Sequence, residues 1–77
     1  MAQTIRAEMV ASVHSVLMAE GDAVVIGDTL VILESMKMEI PVLVEVAGTI
    51  VEVRVSSGDV VQEGDVLVVL LPRAEGV

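Results

Sequence analysis

Residues 21 to 33, Gly-Asp-Ala-Val-Val-Ile-Gly-Asp-Thr-Leu-Val-Ile-Leu, return 37 positions later, at 58 to 70, as Gly-Asp-Val-Val-Gln-Glu-Gly-Asp-Val-Leu-Val-Val-Leu. Eight of the thirteen positions are identical, more than a valine-rich composition produces by itself. The same offset lays Ala11-Ser12-Val13-His14-Ser15-Val16 over Gly48-Thr49-Ile50-Val51-Glu52-Val53. A chain of this kind is two copies of one supersecondary unit, and neither copy buries a hydrophobic face alone.

Each Gly-Asp pair falls between Val-rich runs, where glycine supplies a positive φ and aspartate bonds its own backbone, so each pair marks a turn. Short strands at this turn spacing, with no long stretch of helical period, specify an all-β sandwich or barrel. Strands are expected near residues 3–9, 11–18, 29–34, 39–46, 48–55 and 66–71, with short extended pieces around 23–26 and 60–63. Between Ile50 and Val55 the alternation puts Glu52 and Arg54 on one face and Val51, Val53 and Val55 on the other. By contrast, Leu30–Leu33 and Val66–Leu71 are apolar on both faces, as if covered twice by other strands or by a partner.

At 77 residues there is room for one domain, here taken as 1–77 with a core of about 5–71 and a flexible tail from Pro72 to Val77. The chain is 55% hydrophobic without a single Phe, Trp or Tyr, so the core must be assembled from Val, Leu and Ile, which favour strands. It also lacks cysteine, which removes disulfides and thiolate metal sites as sources of stability. The N-terminus carries no signal-peptide pattern and no apolar run is long enough to span a membrane, so a cytoplasmic protein is expected. Twelve acidic side chains against four basic ones give a formal charge of −8, which repels phosphate backbones and speaks against nucleic-acid binding. A solvated surface is the plain reading of that charge, and steering toward basic surfaces on partner enzymes is the functional one. A monomer is expected over a homodimer, with pairing of exposed Val-rich strand faces as the alternative. One histidine, His14, with no cysteine supports neither a metal site nor a catalytic triad, and is expected exposed or half-buried in its strand. The glycines sit in turns and not in a strand-to-helix phosphate loop, so a nucleotide site has no support.

Between the repeats lies the segment Glu34-Ser35-Met36-Lys37-Met38-Glu39, which holds the only lysine. A Met-Lys-Met triplet after Glu-Ser resembles the attachment motif of biotinyl domains, and the duplicated Gly-Asp-x-Val-x-x-Gly-Asp-x-Leu block resembles their two pseudo-symmetric halves. The likeness covers residues 5 to 71 and extends to the small stand-alone biotin/lipoyl attachment proteins of bacteria. It implies a flattened β-barrel or sandwich of two four-stranded antiparallel sheets with an internal pseudo-two-fold repeat, a barrel-sandwich hybrid. Lys37 would then stand at the tip of the hairpin joining the halves, with the termini at the opposite end.

Functionally, the resemblance implies a carrier and not an enzyme. Biotin would be attached to Lys37 by a biotin protein ligase, and biotin-dependent carboxylase subunits would load and unload it. Lysine suits the task, because once deprotonated its amine attacks an activated acyl group and leaves a long neutral arm. Met36 and Met38 offer adaptable surface to several enzymes, and Glu34, Ser35 and Glu39 are candidate ligase contacts, although exposed acids also simply keep a hairpin soluble. Lipoyl domains place other residues around their lysine, so lipoate is the alternative cofactor; an unmodified interaction module using the doubly apolar strands is the alternative of another class. Two departures from the family pattern stand out. Val10-Ala11 replaces the Pro-Gly common before the second strand, where a positive φ at Ala11 would be strained, and the offset of 37 leaves no space for the loop that covers biotin in some relatives.

Overall fold

The computed structural model describes residues 2–73. They form eight strands: β1 (Gln3–Arg6), β2 (Ala11–Val16), β3 (Ala23–Val24), β4 (Thr29–Ser35), β5 (Met38–Leu43), β6 (Gly48–Val53), β7 (Val60–Val61) and β8 (Val66–Pro72). These make two four-stranded antiparallel sheets, one ordered β1-β8-β6-β3 and the other β5-β4-β2-β7. No helix among the described residues is long and apolar enough to cross a membrane.

The sequence offset is also the symmetry of the structure. Strand β2 maps onto β6, β3 onto β7 and β4 onto β8, and each pair shares one burial pattern residue by residue. Ladder pairs repeat in the same way: Gln3 faces Leu70 as Ile40 faces Leu33, and Val24 faces Gly48 as Val61 faces Ala11. The core obeys it too, with Val13, Val24, Leu30, Val31 and Leu33 matched by Ile50, Val61, Leu67, Val68 and Leu70, all buried. Branched aliphatic side chains therefore interdigitate across the two sheets, as the absence of aromatic residues requires.

Four equivalent turns fix the ends of the strands. At Ala19–Asp22, Gly21 adopts φ +93°, Asp22 N–H donates to Ala19 O at 3.0 Å, and the Asp22 carboxylate accepts from Ala19 N–H at 2.8 Å. An L-side chain at Gly21 would be strained by that φ, which is why the repeat keeps glycine there. The same ring of bonds closes at Val25–Asp28, Ser56–Asp59 and Gln62–Asp65.

Several expectations need correction. Ladder registers slip between Val13 and Ser15 and between Ile50 and Glu52, so each strand carries a bulge that inserts one residue. Strict alternation therefore fails: Ile50 is buried and Val51 is exposed, while Val53 and Val55 pack on the core. The central strands β4 and β8 are covered on both faces only at their first half, where the consecutive pairs Leu30–Val31 and Leu67–Val68 are fully buried; further along, Ile32 and Val69 are half-buried and Leu71 is exposed. Pro72, assigned above to the tail, ends β8 opposite Gly48, and Arg73 N–H reaches Ala47 O at 2.8 Å. Residues 74–77 lie outside the described residues.

Ala11 carries no positive φ; among the described non-glycine residues only Met36 and Lys37 do. The glycine of the second half answers a different need, because a Cβ on Gly48 would lie 2.3 Å from the carbonyl oxygen of Leu71. In the first half the β2–β4 ladder starts one position later, at Ser12 and Glu34, so Ala11 escapes that approach. Gly48→Ala should therefore destabilise the protein by about 2 kcal/mol or more through backbone displacement, whereas Ala11→Gly should cost about 1 kcal/mol or less; urea unfolding of both variants checks the contrast.

Candidate functional site

The connection between β4 and β5 is the shortest that an antiparallel pair allows. Ser35 faces Met38, Glu34 faces Glu39 and Leu33 faces Ile40, which leaves Met36 and Lys37 as a two-residue loop. Both loop residues have positive φ, 52° and 66°, the signature of a type I′ turn, whose twist matches that of the strands it joins. Such turns normally use Asn-Gly. Two long side chains in the left-handed region carry a conformational cost that the hairpin must sustain.

The hairpin sustains it because its base is anchored. Leu33 is buried and Ile40 packs against the core, while the alternate residues Glu34 and Glu39 face out. Beyond this anchor the chain leaves the protein body: Met36 is 91% exposed, Met38 63%, and Lys37 is exposed between them. Among the described residues no hydrogen bond or ion pair holds the Lys37 amine. A cleft of about 560 Å³ between the edge strands β1 and β5 is lined by residues such as Ile5, Leu33 and Val42 and by none of the loop residues.

Glu34 and Glu39 stand directly across the ladder from each other, an arrangement of like charges that costs stability. Sequence reading places both beside the lysine but does not foresee the third member of the group. His14 sits on the β2 bulge, with its Nε2 3.6 Å from Glu39 Oε2 and its Nδ1 3.1 Å from Ser15 Oγ. It thus reaches over β4 toward β5, and only knowledge of the bulge would have predicted that reach. Ser35 is half-buried at the last rung before the turn.

The tip lies at one pole of a molecule measuring 43 × 18 × 18 Å. Pro72 pairs with Gly48, and Gly48 with Val24, which leads into the Thr29 end of β4, remote from Ser35. Gln3 pairs with Leu70 in the same region. Both ends of the described chain therefore leave from the pole opposite Lys37, as expected.

A model of the biotin/lipoyl family, described as "Biotin-requiring enzyme", matches residues 3–70. Over 50 residues the chain is 62% identical to a "Biotinylated protein TB7.3 homolog" of Mycobacterium leprae, a match covering 65% of this chain and 70% of the relative. Over 43 residues it is 63% identical to "Biotinylated protein TB7.3" of Mycobacterium tuberculosis, covering 56% of this chain and 61% of that one, so it spans less than two thirds of the latter's length. Among solved structures, a single-chain, multi-domain long-chain acyl-CoA carboxylase superposes with TM-score 0.87 at 35% identity, over 96% of this chain and 7% of the carboxylase. The urea carboxylase of Kluyveromyces lactis gives 0.84 at 30% identity, over 91% and 6%. The lipoyl domain of the 2-oxoglutarate dehydrogenase complex from Azotobacter vinelandii gives 0.72 at 31% identity, over 80% and 78%.

If the left-handed loop is a stability cost maintained for the sake of its side chains, then Met36→Asn combined with Lys37→Gly should raise stability by about 2 kcal/mol. Thermal and urea unfolding against the parent chain measures this.

Proposed function

The chain belongs to the biotin/lipoyl attachment family, and on that premise we propose that it is a biotin carboxyl carrier whose Lys37 bears the cofactor. The observation that carries the reading is the partnerless amine held on a two-residue turn at the extreme of a rigid β scaffold. An acyl group fits there: the amine is exposed, its neighbours Met36 and Met38 point into solvent, and no side chain must move to admit it.

Attachment requires Lys37 Nζ to lose its proton within a biotin protein ligase and attack the activated carboxyl carbon of biotin. An amide bond forms as the activating group departs with its electron pair. Glu34, Ser35 and Glu39 present the ligase with an acidic edge on either side of the loop, and the two methionines supply adaptable apolar contact. Once bound, biotin supplies a ureido nitrogen that accepts and releases a carboxyl group. The domain's own part is mechanical: β4 and β5 keep the base of the arm fixed while the side chain of Lys37 sweeps the arm between enzyme active sites.

On this reading the chain acts as one biotinyl-type domain and a monomer in the cytoplasm, serving biotin-dependent carboxylase subunits without catalysis of its own. A lipoyl carrier is the second reading, favoured by the likeness to the Azotobacter vinelandii lipoyl domain. Biotin is preferred because the mycobacterial relatives are named as biotinylated and because methionine flanks the lysine on both sides.

Intact mass of the protein from its native cells should show one biotinyl increment; a lipoyl increment would select the second reading, and no increment would overturn both. Lys37→Arg should keep the fold and abolish streptavidin reactivity, since a guanidinium stays protonated and does not accept the acyl group. With twelve acids against four bases, carboxylation of the loaded domain below saturation should slow as salt is added; rates measured across an ionic-strength series check this.

A further inference from the structure

The internal two-fold provides a control: from Gln3 to Val31 of one repeat and Ile40 to Val68 of the other, the ladder pairs recur at the offset of 37. On the outward face of the sheet that carries Lys37, Ile32 faces Pro41 across the ladder. Leu43 lies two residues further along β5, and Leu17 follows β2, its N–H bonded to Leu30 O at 2.9 Å. The turn that bonds Val44 through Gly27 places Ile26 at the same end. Leu17, Ile26 and Leu43 are 50%, 69% and 48% exposed. The counterparts on the other sheet, 37 positions away, are Arg54 for Leu17, Glu63 for Ile26, Arg6 for Leu43 and Thr4 for Pro41. The fold therefore accepts charged or polar residues at these four places, and packing does not explain the apolar ones. Ile32 is matched by Val69, and nearer the tip the contrast reverses, the other face exposing Val51 and Leu71 where this one has His14 and Glu34. The apolar excess is thus confined to the end of the sheet remote from Lys37.

Charge divides the two faces in the same sense. Arg6, Arg54 and Arg73 all belong to the β1-β8-β6-β3 sheet or to its direct continuations. The face with Lys37 has Glu34 and Glu39 at the tip side of the apolar strip and Glu45 just past its other end, and its only cationic groups are Lys37 itself and, when protonated, His14. A second copy of so acidic a chain would be repelled. A complementary surface has an apolar centre and a rim of Lys or Arg.

We propose that this strip is the docking surface for the biotin-dependent carboxylase subunit that works on the loaded arm, a partner with an apolar patch ringed by basic side chains. The proposal rests on Lys37 being the biotin acceptor. Its position favours an enzyme acting at the end of the arm over one acting at the amine. At about 3.3 Å per residue, Pro41 lies about 13 Å and Leu43 about 20 Å down the strand from Lys37, so a partner seated there meets the arm and not its root. The ligase, which must reach Nζ itself, engages the tip.

The test exchanges face residues for their own counterparts: Leu17→Arg, Ile26→Glu and Leu43→Arg together, with Arg54→Leu as the control on the opposite face. Each protein is loaded by a biotin protein ligase, checked by intact mass and circular dichroism, and assayed with ATP, bicarbonate and a biotin carboxylase subunit that carboxylates the loaded parent domain. Normal loading and fold, at least a tenfold rise in KM with little change in kcat, and no effect of Arg54→Leu are expected. An unchanged KM in the triple variant overturns the proposal, as does a loss of ligase loading equal to the loss of carboxylation. A parent domain that is never loaded on Lys37 fails the carrier reading instead, so the two failures are distinguishable. Leu43→Arg alone, measured in parallel, decides the matter if the triple variant does not fold: its KM must rise for the proposal to stand.

Discussion

Everything in this molecule depends on an exchange of strands between the two copies of the repeat. Each sheet takes two strands from the first half and two from the second: β1 and β3 lie with β6 and β8, and β2 and β4 lie with β5 and β7. The β2–β4 and β6–β8 ladders form within one copy, but the other four ladders, and therefore either complete sheet, need strands from both. That interdependence lets a chain without aromatic side chains assemble one core from valine, leucine and isoleucine, because each sheet combines strands of both halves. The four glycine–aspartate turns are local and self-sufficient, so they define where strands end before the long-range pairing forms.

A scaffold duplicated in this way has no reason to be asymmetric, which makes each departure from symmetry informative. The largest is the β4–β5 connection, where a two-residue loop in the left-handed region joins the halves. Its strain, the opposed Glu34 and Glu39 and the stranded amine of Lys37 are all features that a sequence selected for stability alone would remove. Sites that violate local preference in an otherwise consistent fold are where function concentrates. The same logic applies to the end of the outer faces away from Lys37, where Leu17, Ile26 and Leu43 occupy the backbone positions that hold Arg54, Glu63 and Arg6 in the other half.

Most of this was legible before any coordinates. The offset marks the two halves and the Gly-Asp pairs mark the turns, while the tip is implied by the resemblance that Met36-Lys37-Met38 carries to biotinyl attachment motifs. What escaped was geometry that no residue type announces. The bulges in β2 and β6 shift Val51 out of the core and carry His14 over toward Glu39, yet His14 and Val51 share no chemistry that signals an extra residue in a strand. Gly48 stands opposite Ala11 in the repeat, and the reason for glycine there is the nearness of Leu71 O and not a backbone angle. Pro72 looked like a terminator, yet it occupies an end rung whose N–H is dispensable.

The polar layout of the barrel has a mechanical corollary. Because both ends of the described chain depart from the pole remote from Lys37, any covalent tether fixed there would use the 43 Å body as a rigid boom. Small rotations at the tether would sweep the Lys37 tip through a wide arc. In the two carboxylases that superpose on this chain the similar unit is 7% and 6% of the length, the setting in which such a tether exists.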